Sequence, residues 1–520
     1  MTPLDEGSVL PLVREVTGRV DPLAVYRTLS DGGRRAGTFL LESAETAGGA
    51  GERSLIGASP ALRIVCRDRL VTIRATSSNG RSLLGWAQRR LGGEREGDEL
   101  RVPFPAPPPG PRDEASRGLL PSPLDAIREL VLGPKLLARP AEACLLAAGV
   151  FSYDLLELFE DLPEGRPEAA PTPHFELVIP DRLVIVDHVR HRTLLVANAF
   201  GGPDGEANYH DAAHGIASLL QAVEGAPPHP AARPANVSIS EDLSDADFAE
   251  LVGRLRRHIV AGDVFQIVAS RTFSLPCPDP LGAYAALRAD NPSPYLFYVR
   301  GERSTLLGAS PETAVKVHGT PRKVAIRPIA GTAARGRDAS GALDADLDAR
   351  REAALRLDAK EIAEHMMLVD LARNDVARVS RPGTRRVARL LDVHRYSQVM
   401  HLVSEVEGEL APGLDALHAY ASAMNMGTLV GAPKIRAAQI LREVEPSRRG
   451  AYGGAVGYLT CDGEMDTAIV IRAAVVREGI AAVRAGAGIV FDSDPAAEAR
   501  ETRRKAEAVL RAIASGGGGA

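Results

Sequence analysis

Short apolar runs closed by turn residues recur along the whole chain, without the regular strand–helix–strand alternation that a parallel sheet needs. This spacing argues against a doubly wound fold and favours an α+β architecture of layered strands and separate helices. RSLIGASPALRIVCRDRL, residues 53–70, alternates as a strand pair. Residues 181–189 and 193–200 read as a hairpin, and residues 454–491 as three strands joined at Asp462-Gly463 and Glu478-Gly479. Helical patterns are few: residues 123–132 with Ser122 as N-cap, a stretch opened by a Ser244/Asp247 capping box, residues 358–375, and a terminal segment after Asp494 and Pro495. In that last segment Ala499, Thr502, Ala506, Val509, Leu510 and Ile513 trace one apolar stripe.

A proline-rich break, GAPPHPAARPAN at residues 225–236, is the best linker in the 520-residue chain. It divides an N-terminal region, residues 1–235, from a second region, residues 236–515, with a glycine-rich tail at 516–520 expected to be disordered. The two regions share a repeat: Arg53-Ser54-Leu55-Ile56-Gly57-Ala58-Ser59-Pro60 matches residues 303–311 with one insertion, an expectation of structural duplication. A net charge of −5 without basic runs argues against nucleic acid or anionic membrane as partner. No apolar run approaches the ~20 residues of a membrane helix, and the acidic start MTPLDEGSVL is unlike a signal peptide. The expected location is cytoplasmic. Cys66, Cys144, Cys277 and Cys461 form no CxxC and are expected to be reduced thiols.

The segment DAKEIAEHMMLVDLARND, residues 358–375, sets Glu361 and Glu364 on one helix face, with Ile362, Met366 and Val369 on an apolar stripe. Two carboxylates about 4 Å apart repel by roughly 4 kcal/mol at an effective dielectric near 20. A buried pair therefore needs a cation or a proton, and the plain alternative is a solvated acidic face. Glu498 and Glu501 form a second such pair beside the terminal helix's stripe. Four hard oxygen donors without Cys or His fit Mg²⁺ better than Zn²⁺. Gly486, Ala487 and Gly488 offer backbone N–H groups to an anion, while Gly427 to Lys434 fails the phosphate-loop spacing. Arg472, in TAIVIRAAVV, either enters a site or faces solvent from an edge strand, Tyr452 either lines a site or packs, and His401 is equally open.

PIAGT (328–332), DAKEIAEHMMLVDLARND, HLVSEVEG (401–408), MNMGTLVGAPKIRA (424–437), YGGAVGY (452–458), AGAGIVFDSDP (485–495) and EARET (498–502), in this order, resemble the chorismate-utilising enzymes. Within that family the closest resemblance is to large subunits of anthranilate synthase. It implies large antiparallel sheets packed as a sandwich with helices outside. It implies Mg²⁺ on Glu361, Glu364, Glu498 and Glu501, and chorismate on Gly331, Thr332, Tyr452, Arg472 and residues 486–488. His401, Glu361 and Thr428 would be the catalytic positions, with Glu361 protonating the departing hydroxyl and His401 helping the elimination. Ala330 stands where the aminodeoxychorismate branch carries a nucleophilic lysine, and Gln266 where the isochorismate branch carries a basic one. The reading that survives is ammonia as nucleophile, with anthranilate and pyruvate as products.

No Cys stands in a GxCxG setting, so the resemblance also implies a separate glutamine amidotransferase subunit and a hetero-oligomer. The element LLES resembles a feedback site for tryptophan, made of Leu41, Glu42, Ser43, Arg53, Pro294, Tyr295, Leu296, Val456 and Tyr458. Glu42 is expected to meet the ligand's polar groups. Leu296 and Arg53 replace the methionine and lysine of familiar members. An aminodeoxyisochorismate synthase of secondary metabolism and a vestigial tryptophan-responsive binding protein are the rival readings.

Overall fold

Antiparallel pairing dominates the structure, a computed structural model describing residues 4–518 except 19, 44–52, 109–117, 139–143, 167–171, 231–233, 235–236 and 397–398. Among these residues twenty-four strands join through one continuous set of hydrogen bonds. The parallel pairing is that of Ser8–Thr17 with Lys135–Leu136. Strands from both sides of residues 225–236 alternate in this network. Thr38–Glu42 lies between Arg53–Arg67 and Tyr295–Arg300, with Glu42 opposite both Ser54 and Leu296. Leu146–Phe151 likewise pairs with Ala455–Thr460.

Phe39, Leu55, Leu146, Leu194, Phe297 and Val456 pack strand face against strand face in one buried cluster. Helices cover the outside: Tyr26, Tyr284, Val509 and Ile513 pack on Ile56, Val184, Leu296 and Val483. The expected α+β class, with a large antiparallel sheet and flanking helices, therefore holds. Among the described residues no helix is long and apolar enough to cross a membrane.

The repeat is visible in register. Phe39 stands opposite Gly57 and Phe297 opposite Gly308. In each hairpin the ring fills the place of the glycine's missing side chain, 2.3 Å and 2.4 Å from an added Cβ. Beyond that point the copies diverge. Residues 53–70 are not a strand pair: Arg53–Arg67 is one strand whose register shifts around Ser59 and Pro60, the local irregularity a bulge introduces. The second copy instead turns after Pro311 and starts a new strand, Thr313–His318.

Three further expectations are corrected. Residues 454–491 hold four strands, because Arg472, at φ +51°, separates Met465–Ile469 from Ala473–Arg477; no glycine or proline marks that break in the sequence. Pro123, not Ser122, takes the cap position of Leu124–Leu132, and the Ser122 N–H donates to Asp125 Oδ2 at 2.9 Å. The tail is ordered at its start. Gly516 closes the terminal helix, and Gly517 accepts from the Asp279 N–H at 3.1 Å. A Cβ on Gly516 would lie 2.4 Å from the Gly282 carbonyl oxygen, so only glycine admits this contact. Residues 519–520 lie outside the described residues. The hairpin Phe175–Asp187/Arg192–Phe200 and the Ser244 capping box match their expectations.

A buried charge cluster ties the central strands to the following helix. Glu445, just past Lys434–Val444, accepts from the Ser270 N–H at 2.9 Å, the Ser270 hydroxyl at 2.7 Å, Arg449 at 2.7 and 2.8 Å, and Arg484 at 2.9 Å. Burial alone would push its carboxyl up; the two guanidiniums outweigh that and hold it below its usual value. Arg449 also donates to the carbonyls of Val268 and Leu429. Glu445→Gln leaves two buried guanidiniums without their anion, a cost of about 3–5 kcal/mol. The expected outcome is a lower urea midpoint by far-ultraviolet circular dichroism, and a midpoint equal to wild type would refute the cluster's role.

Candidate active site

The acidic helix is Ala359–Ala377, with Asp358 as N-cap accepting from the N–H groups of Lys360 and Glu361. Its buried stripe is His365, Leu368, Val369, Ala372 and Val376; Met366 is 40% exposed, so the stripe drawn through Ile362 and Met366 is corrected by a fraction of a turn. His365, wholly buried, is the residue that sequence reasoning missed here. Its Nδ1–H donates to the Ala330 carbonyl at 3.0 Å, which leaves Nε2 to accept from the Ser404 hydroxyl at 2.6 Å. The helix is thereby fixed against residues 329–334 and the strand Val399–Glu409.

That anchoring brings Glu361 and His401 to neighbouring places. Gly331, at φ +88°, lies so close to Glu361 that an added Cβ would be 3.4 Å from Oε2 and 2.9 Å from Leu402. Thr332 Oγ1 is 2.9 Å from His401 Nδ1, and Tyr396 stands edge-on to the imidazole with centroids 5.5 Å apart. Burial, then the positive Arg472, holds His401 down at about 4, so the ring is neutral at pH 7. Burial, then the charges of Glu364 and Asp358, pushes Glu361 up. Glu364 accepts from Gln266 Nε2 at 2.9 Å, and an added Cβ on Gly488 would sit 2.9 Å from the same nitrogen.

The terminal helix Pro495–Gly516 supplies the facing wall, with Asp494 as N-cap and Pro495 in its first turn. Glu498 is pushed up by burial and by Glu501, and Lys360 of the acidic helix is among the charges that pull it back. Burial would raise Glu501 too, but Lys505, 2.6 Å away, outweighs it and holds the carboxyl below its usual value. Lys505 also donates to the Gly486 carbonyl at 3.1 Å. Arg472 does not face solvent from an edge strand. Its left-handed backbone turns the guanidinium inward, where it donates to the Lys505 carbonyl at 2.8 Å and lies near Tyr452, Glu501 and His401. The Tyr452 hydroxyl would be 2.7 Å from a Cβ on Gly486, and residues 486–488 pair with 268–270. Two cations, a phenol and a glycine strand thus converge, an arrangement suited to carboxylates.

The four glutamates are hard oxygen donors that repel in pairs, which is the donor chemistry a divalent cation fits. Among the described residues no three of them bring oxygens within 4.8 Å of one another. Asp68, Glu157 and His174 do converge, elsewhere. There Glu157 is already bound to His174, Arg442 and Arg448.

Glu312 was also missed. It follows the repeat motif and is buried, and burial pushes its carboxyl up to about 8. Thr428, the Ile329 backbone and Lys505 are its neighbours. The buried Thr428 hydroxyl has no hydrogen-bond partner at standard geometry among the described residues. The signal for Glu312 lay in its setting: an acid between Ser310-Pro311 and an apolar strand.

All nine positions of the expected regulatory site line one cavity of ≈ 570 Å³. Glu42 lines the cavity and is also paired within the fold. Its carboxylate accepts from Tyr284 at 2.6 Å and Arg288 at 3.0 Å. Asp466, which accepts from Tyr295 at 2.9 Å, is the carboxylate beside Leu296, Val456 and Tyr458.

Comparison with known proteins shows the family. The sequence profile of the chorismate binding enzymes matches residues 118–511. The anthranilate synthase component 1 of Vibrio cholerae is 48% identical over 95% of this chain and 94% of its own length. That of Escherichia coli is 47% identical over 96% and 95%. A pyocyanine-specific anthranilate synthase component 1 of Pseudomonas aeruginosa is 50% identical over 97% and 96%. Among solved structures, anthranilate synthase component I from Streptococcus pneumoniae superposes with a TM-score of 0.70 at 28% identity, covering 90% of this chain and 93% of that one. The menaquinone-specific isochorismate synthase of Escherichia coli, at 18% identity and a TM-score of 0.67 over 97% and 94%, shares the fold. With this match over most of the chain and near-complete coverage of its relatives, the chain belongs to the chorismate binding enzymes, in the group of anthranilate synthase component 1 sequences.

Proposed function

We propose that this chain converts chorismate and ammonia to anthranilate and pyruvate, opening tryptophan biosynthesis, with ammonia released from glutamine by a separate amidotransferase subunit. One observation carries the reading: Lys505, which pairs with Glu501 and donates to the Gly486 carbonyl, also lies beside Glu312, a carboxyl that burial pushes up to about 8. Cations hold the substrate's carboxylates while an acid serves the leaving hydroxyl. Ala330 and Gln266 supply no amine, so the nucleophile comes from outside the chain.

Ammonia adds at C2, the ring double bonds shift, and the C4 hydroxyl leaves as water with a proton from Glu312. We assign this proton to Glu312 rather than Glu361, since Glu361 would be a ligand of the bound Mg²⁺. Neutral His401, oriented by Thr332, then takes the C2 proton as the C3–O bond breaks, and the released enol becomes pyruvate. Glu361, Glu364, Glu498 and Glu501 would hold Mg²⁺, which when bound would neutralise the ring carboxylate.

We also assign the ≈ 570 Å³ cavity to tryptophan as feedback inhibitor. Its apolar residues suit an indole, and Asp466 suits the ammonium.

Chorismate, Mg²⁺ and ammonium, with fluorescence and mass detection, test the reaction. Anthranilate and pyruvate are expected, with turnover lost to a chelator and restored by Mg²⁺. An amino acid that keeps its enolpyruvyl group would mark an aminodeoxyisochorismate synthase instead, and an inert protein a binding protein. Glu312→Gln should lower kcat by roughly 10²–10⁴-fold. Wild-type kcat at fixed free ammonia should fall above about pH 8, as a raised carboxyl loses its proton there; a flat alkaline limb would exclude Glu312 as the acid. Ser43→Phe fills the cavity rim and should abolish tryptophan inhibition with kcat retained, whereas unchanged sensitivity would remove tryptophan from this cavity.

A further inference from the structure

Glu312 sits in the wall between the catalytic residues and the cavity, and the cavity side of that wall is a chain of hydrogen bonds. Pro311 and Thr313 line the cavity, while Glu312 between them lies by Thr428 and Lys505. Thr313 opens its strand at a register shift: it pairs with Ala468, and Val315 already pairs with Thr467. Such an irregularity re-aims a side chain.

Thr313 Oγ1 is 2.9 Å from the Tyr295 hydroxyl, which is 2.9 Å from Asp466 Oδ1, and Lys316 Nζ is 3.1 Å from Asp466 Oδ2. The carboxylate only accepts, so the phenolic proton goes to Asp466 and the Thr313 hydroxyl donates to the phenolic oxygen. All four residues line the cavity. The residue after Tyr295, Leu296, pairs with Glu42 of the LLES element.

We infer that Thr313 and Tyr295 are positioning residues for Glu312, and that a cavity ligand with an ammonium group slows the reaction by taking Asp466 from Tyr295. This rests on the proposed assignment of the acid and of the cavity. Three carboxylates line the cavity. Glu42 is held by Tyr284 and Arg288, and Asp392 is exposed. Asp466, held by Tyr295 and Lys316, is the one that lies beside Leu296, Val456 and Tyr458. Once Asp466 is engaged, the phenol loses its acceptor and turns, and the Thr313 bond goes with it. The Glu312 peptide is then held by the Ser310 hydroxyl at 3.3 Å and the Ile469 N–H at 3.0 Å, without the side-chain tether one residue on. The acid drifts from its line to the leaving hydroxyl.

Thr313→Val removes the donor and keeps the shape. Expected is a kcat about tenfold or more below wild type, the cost of a misplaced acid, with KM for chorismate within about twofold. The alkaline limb of the pH profile, at fixed free ammonia, should move, and Thr313→Ser should restore both. Calorimetry should show tryptophan still binding the Val variant while no longer lowering its remaining turnover. A Val variant with the wild-type alkaline limb and wild-type inhibition overturns the inference while leaving the proposed function intact. A wild-type protein that makes no anthranilate, or binds no tryptophan, overturns that function and the inference with it.

Discussion

The Glu445 cluster is the constraint on which the site's geometry depends. One buried carboxylate holds Ser270 on the strand carrying Gln266, Arg484 on the strand carrying residues 486–488, and Arg449 three residues before Tyr452. Each of those strands or loops then delivers a functional group within a few residues of its anchor. A buried ion pair of this kind is weak as a source of net stability, because desolvation offsets most of its attraction. Its effect is positional: alternative registers of the two strands would leave guanidiniums unpaired in an apolar interior.

Around that anchor the site divides its charges by burial. Glu312 and His401 are both kept neutral near pH 7, one with its proton and one without, and they stand on opposite sides of the proton bookkeeping of a reaction that must give one proton and take another. Lys505 links the two neighbourhoods, since it pairs with Glu501, holds the Gly486 carbonyl and lies near Glu312. Arg472 is carried there by a strained backbone that no apolar strand would adopt unaided.

The sequence disclosed the acidic pairs, the glycine strand and the nine cavity positions because each is a local run or a recognisable motif. It disclosed the Ser244 and Asp494 helix caps for the same reason, though not the cap of Leu124–Leu132, where Pro123 stands in place of the expected Ser122. His365 and Glu312 escaped because their roles arise from contacts far along the chain: His365 from Ala330 and Ser404, Glu312 from Thr428 and Ile329. Arg472 was noticed but placed in a continuous strand, since apolar residues on both sides hide a break made by one positive φ. The pairing of Glu42 escaped as well: resemblance to the LLES element places it at a ligand site, while Tyr284 and Arg288 are brought beside it only by folding.

The interleaving of strands also bears on how the chain is made. Glu42 waits for Leu296, and Val150 for Val456, so hydrogen bonds at the centre of the network close only after roughly 250 to 300 further residues have left the ribosome. At about 5–20 residues per second, the early strands spend on the order of tens of seconds with open edges. Pairing so distant in sequence is also slow to form. Nascent chains of this protein are therefore natural clients for chaperones, and slowing or truncating synthesis beyond residue 235 would expose the edge of Thr38–Glu42 to pairing with other chains.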